Sequence, residues 1–138
     1  MRVDYKKIHL DQQQKKLIRR TILENPYIPV TPYDRQLYAI ADRHTRKLIG
    51  GSAYSGKSML GAVLALQHYE VPYYRCLILR STYDNVIATG GIVDYLDHWT
   101  EPFDYIEHNQ SKRCFINHEN DARIYYCLLY TSDAADER

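Results

Sequence analysis

Leu10, Leu17, Ile18 and Ile22 recur near helical spacing among glutamines and lysines, and Asn25-Pro26 supplies a stop, so residues 8–24 are expected to form an amphipathic helix. Pro26, Pro29 and Pro32 then hold an extended connector. Helical spacing returns over residues 33–41 (YDRQLYAIA). Residues 46–50 (RKLIG) predict a short strand that runs directly into a glycine-rich segment. Residues 58–68 are apolar on nearly every side, the pattern of a helix buried against a sheet. Pro72 ends that run. Residues 75–80 (RCLILR) predict a second strand with a continuous apolar centre, and residues 92–99 a further helix. The order strand, helix, strand, helix points to an α/β fold with a parallel sheet. From Tyr105 onward the pattern changes to short strands at 105–108, 113–116 and 122–126, separated by polar turns.

A chain of 138 residues fits one domain. The formal net charge of +1 implies no strong electrostatic field, so a nucleic-acid partner would need a local patch. No apolar run is long enough to span a bilayer and the N-terminus is polar, from which a soluble, cytosolic protein is expected. Cys76, Cys114 and Cys127 form no CxxC pair, which argues against a disulfide framework and against a zinc site. His98, His108 and His118 are too widely spaced for a local metal motif. The fourteen tyrosines are scattered, as half-buried packing groups would be.

The glycine-rich segment, Gly51, Ser52, Ala53, Tyr54, Ser55, Gly56, Lys57 and Ser58, matches G-x-x-x-x-G-K-[ST] at every fixed position. A chance match in a chain of this length is on the order of half a percent, which makes a glycine-rich turn with a solvated lysine the weaker explanation. The predicted context, strand before and helix after, is one in which backbone N–H groups and a helix N-terminus converge on an anion. Gly51 and Gly56 let the backbone wrap phosphates without Cβ clashes. Lys57 would reach the β- and γ-phosphates of a nucleotide, and the Ser58 hydroxyl would complete a Mg²⁺ shell.

Residues 27–40 (YIPVTPYDRQLYAI), 48–67 (LIGGSAYSGKSMLGAVLALQ), 71–86 (VPYYRCLILRSTYDNV) and 90–99 (GGIVDYLDHW) together resemble the N-terminal ATPase region of tailed-phage terminase large subunits, the motors that package DNA into capsids. The resemblance spans about residues 25–126. It implies a P-loop NTPase fold in which Lys57 is the catalytic lysine, residues 51–58 hold the phosphates of ATP and Ser58 contacts Mg²⁺. In that family a glutamine upstream of the phosphate loop contacts adenine, and Gln36 occupies the matching place; its amide offers both the donor and the acceptor that a base requires. Arg80, at the C-terminal edge of the second predicted strand, is a candidate sensor of phosphate or DNA, with a plain salt bridge as the alternative. The resemblance further implies double-stranded DNA, a terminase small subunit and a portal protein as partners, a homo-oligomeric ring, the host cytoplasm as location and no membrane.

Residues 1–32 are expected to form an N-terminal helix and connector, residues 33–126 a partial ATPase domain. Residues 127–138 resemble a translated sequencing-library adapter and are expected to lie outside the fold. The expected sheet is therefore a partial parallel one flanked by helices and incomplete at its C-terminal side. This class of ATPase needs a carboxylate on a further strand to hold Mg²⁺ and another to orient water, and the terminase family adds a nuclease domain. Neither follows Arg80 outside the adapter-like tail, so these 138 residues are expected to show no ATP turnover. Residues 52–55 contain no arginine, so an arginine finger would come from elsewhere in the chain or from a neighbouring subunit. A helicase-like ATPase and a nucleotide-binding remnant without hydrolysis are the competing readings.

Overall fold

The computed structural model describes residues 9–51, 56–81 and 88–129. Helix α1 (Gln12–Arg19) starts at a reciprocal cap: the Asp11 carboxylate accepts from the Gln14 backbone N–H at 2.8 Å while the Gln14 side chain accepts from the Asp11 N–H at 3.0 Å. A π-helical segment, Arg20–Glu24, continues it to the expected stop. Helix α2 (Asp34–Ala41) follows the proline connector and buries Leu37, Ile40 and Ala41 on one face. Helix α3 (Lys57–Leu66) buries Leu60, Ala62, Val63, Ala65 and Leu66 and packs against α4 (Ile92–Thr100), which contributes Val93 and Leu96.

Four strands form one sheet in the order β1-β4-β3-β2: β1 (Arg75–Arg80), β2 (Ile106–Asn109), β3 (Cys114–Asn117) and β4 (Arg123–Leu128). The sheet is mixed, which corrects the parallel expectation. Only β1 and β4 are parallel; β2, β3 and β4 form an antiparallel meander. Residues 46–50 are not a strand: Leu48 is fully exposed and the segment pairs with no described strand. Strand β4 continues through Cys127 and Leu128, which pair with Leu79 and Arg80 of β1. Along β1 and β4 the in-register side chains alternate between two faces. Cys76, Ile78, Ile124 and Tyr126 turn toward the helices, while Leu77, Leu79 and Cys127 stay exposed on the other side.

Buried polar groups fix how the helices sit on one another. The Gln67 side chain, just beyond α3, donates to the Thr21 hydroxyl at 3.1 Å and to the Ile40 carbonyl at 3.3 Å. Asn25 donates to the Leu66 carbonyl at 2.8 Å and accepts from the Tyr27 N–H at 2.9 Å. The Asn25 bond satisfies a carbonyl at the C-terminal end of α3, which has no partner within the helix, and the Gln67 bonds tie that end to the π-helical segment and to α2. At the other end of α3, the Gln36 side chain from the first turn of α2 bonds the Gly56 carbonyl.

Candidate functional site

Helix α3 begins at Lys57 with Gly56 as its N-cap, and Gly56 takes the left-handed conformation at φ 81°. A side chain there would be strained by the backbone alone, and a Cβ would stand 2.8 Å from Gln36 Nε2. Gln36 lies beside Gly56, almost wholly buried. Its Oε1 accepts from the Tyr33 N–H at 2.9 Å, capping α2, and its Nε2 donates to the Gly56 carbonyl at 3.2 Å. That carbonyl also accepts the first helical bond of α3, from the Leu60 N–H at 3.0 Å. Both its lone pairs are thus engaged by donors within the protein.

The N-terminus of α3 has no side-chain cap. Its first N–H groups lack acceptors within the helix and carry the positive end of the helix dipole. They face a cavity of about 380 Å³ lined by Gly50, Gly51, Gly56, Lys57, Arg35 and Gln36, with Ala39, Ile49 and Leu60 as its apolar wall. Two cationic side chains, Lys57 and Arg35, line this space and no acidic one does among the described residues. The Lys57 ammonium bonds to the Gly51 carbonyl, closing the two described ends of the glycine-rich segment on one another. A second cavity of about 370 Å³, bounded by Tyr38, Asp42, His44 and Lys47, adjoins the first across Ala39 and Ile49.

Of the residues singled out in the sequence, Gly51, Gly56, Lys57 and Gln36 come together around one cavity, with Ser58 following Lys57 in the first turn of α3. Ser52, Ala53, Tyr54 and Ser55 lie outside the described residues. Arg80 is not among the lining residues; it ends β1, exposed, and its carbonyl accepts from the Leu129 N–H at 2.8 Å. Arg35 carried no sequence signal beyond its place next to Gln36, and only the tertiary arrangement brings it to the cavity.

Other chemistry-bearing groups are occupied elsewhere. Burial pushes the Cys76 and Cys114 thiols up, so neither presents a thiolate near neutral pH. The three histidines noted in the sequence each meet a carboxylate: His98 with Asp94, His108 with Asp97 and His118 with Glu107. His108 also bonds the Tyr126 hydroxyl at 2.8 Å and stacks on Phe115, which joins α4 to the sheet. No cluster of three or more His, Cys, Asp or Glu side chains that could hold a metal occurs among the described residues. Among them, too, no helix is long and apolar enough to cross a membrane. Comparison with protein-family models, curated proteins and solved structures finds no match to this chain.

Proposed function

We propose that this chain is the ATP-binding portion of a DNA-translocating motor of the terminase large-subunit type, built on a P-loop NTPase fold. The observation that carries the reading is the uncapped N-terminus of α3, which opens with Lys57 and Arg35 onto a cavity free of acidic side chains among the described residues. Such a place attracts a polyanion, because N–H groups without acceptors in the helix, a helix dipole and two cations act in one direction. The motif G-x-x-x-x-G-K-S narrows the polyanion to the phosphates of a nucleotide.

The residues present fit Mg·ATP. Gly56 takes a left-handed backbone at which a Cβ would meet the Gln36 amide, Lys57 is the first residue of the helix and Ser58 the second. Lys57 would exchange the Gly51 carbonyl for phosphate oxygens, and the Ser58 hydroxyl would hold Mg²⁺ together with those oxygens. Gln36 retains one N–H and one lone pair beyond its two bonds, the pair that adenine requires. ATP binding, its coupling to translocation of double-stranded DNA, the small-subunit and portal partners, the ring assembly and the host-cytoplasm location all stand as parts of this proposal, as does the candidate role of Arg80. The test is calorimetric titration of the 138-residue chain with Mg·ATP: binding is expected, and Lys57→Ala is expected to weaken it roughly tenfold or more, the worth of a charge-assisted contact. Unchanged binding in Lys57→Ala would remove the reading.

A further inference from the structure

Residues 52–55 hold no arginine, and the lysine of the motif is the single cation the glycine-rich segment offers. The cavity nevertheless has a second. Arg35 occupies the first turn of α2, one turn before Ala39, and both line the space in front of α3. It makes no hydrogen bond or ion pair with any described residue, whereas Arg43, Arg75 and Arg123 each bond an aspartate. Its place is an unfavourable one for a cation, since the N-terminal end of a helix dipole is positive. Nor does anything acidic among the described lining residues offset it, and Lys57 adds a like charge to the same cavity. The arrangement leaves a planar, permanently charged donor group facing a space that already attracts anions, and a guanidinium matches phosphate oxygens with two parallel bonds.

We propose that Arg35 contacts the phosphate chain of the bound nucleotide and supplies, from within the chain, the cation missing from residues 52–55. The inference rests on the nucleotide reading of the cavity and adds to it a residue that the loop motif does not contain. Gln36 next to it is anchored to Gly56, so α2 carries the arginine on a turn fixed to the end of the loop.

The test is calorimetric titration of the full 138-residue chain and its Arg35→Ala, Arg35→Lys and Lys57→Ala variants with Mg·ATP, Mg·ADP, AMP and inorganic tripolyphosphate. Arg35 is exposed, so its substitution is expected to leave the core untouched, and thermal melts of the variants check this. Loss of a charge-assisted phosphate contact corresponds to roughly tenfold to hundredfold weaker binding. Arg35→Ala is expected to weaken Mg·ATP and tripolyphosphate by that factor, Mg·ADP less and AMP within about twofold of the unaltered chain, with Arg35→Lys recovering part of the loss. Equal losses for all three nucleotides with tripolyphosphate unaffected would place Arg35 on the base or ribose and overturn the proposal. So would unchanged binding in Arg35→Ala while Lys57→Ala binds weakly, and in that case the nucleotide reading survives. Unchanged binding in Lys57→Ala would overturn both.

Discussion

Gly56→Ala is the substitution whose effect follows most directly from the structure. At φ 81° an L-residue costs roughly 1–2 kcal/mol for the left-handed backbone alone. The added Cβ would also stand 2.8 Å from Gln36 Nε2, a contact that forces the amide to move. Gln36 is almost wholly buried and bonded at both ends, so moving it loosens its bond to the Gly56 carbonyl, worth about 1 kcal/mol. The two contributions sum to about 2–3 kcal/mol of lost stability. A double-mutant cycle separates them. With Gln36→Ala as background the contact is gone, and Gly56→Ala should then cost only the backbone part, which leaves a coupling energy of about 1 kcal/mol. Urea denaturation monitored by circular dichroism of the four proteins reads this out. An equal cost in both backgrounds would refute the contact between Gln36 and Gly56, and a cost below about 0.5 kcal/mol would refute the left-handed backbone as well.

Three further outcomes are expected. Gln36→Ala should weaken ATP and GTP alike through the lost loop anchor, with an additional loss for ATP if the amide also reads adenine; competition binding with the two nucleotides measures the ratio, and an unchanged ratio leaves Gln36 as an anchor alone. Gln67→Ala removes the buried bonds to Thr21 and the Ile40 carbonyl and leaves both partners short of one, so a loss of about 1–3 kcal/mol in urea denaturation is expected, and a loss within 0.5 kcal/mol would show that the helices are held by apolar packing. Asp121 bridges the start of β1 and the start of β4, and its bonds to Arg75 and then Arg123 hold its carboxyl below the ordinary 3.8. Its depressed value in the folded protein means that the stabilisation is present above that pH and is lost as pH falls through the folded value; Asp121→Asn should lower Tm at pH 7 and narrow the gap to the unaltered protein toward pH 3, and a gap that widens in acid would contradict the assignment.

Much of the helical part of this fold is legible in the residues. The spacing of Leu37, Ile40 and Ala41 shows the buried face of α2, and the unbroken apolar run after Lys57 shows that α3 is buried on several sides. Strand neighbours were not legible, because apolar alternation specifies that a segment extends and not which strand it lies beside. The short strands after Tyr105 fold back on one another through local turns, whereas β4 returns to β1 from across the domain, and both use the same kinds of residue. Residues 46–50 show the same limit from the other side: Leu48-Ile49 is apolar and short, but a strand requires a partner and no described strand pairs with it. At the candidate site the motif itself named Gly51, Gly56, Lys57 and Ser58. What it could not name are the contacts made across the fold, the anchor from Gln36 to the Gly56 carbonyl and the approach of Arg35 to the cavity.

In the proposed function the N-terminus of α3 and Lys57 hold the phosphates of a nucleotide. Amide chemical shifts of the ¹⁵N-labelled chain, followed during titration with Mg·ATP and separately with inorganic tripolyphosphate, test it at the atoms concerned. The largest changes are expected at the Gly56, Lys57 and Ser58 amides with both ligands, because backbone N–H groups that take up a phosphate acceptor shift strongly. Saturable binding whose largest shifts fall away from the start of α3, or no binding of either ligand, would contradict the claim.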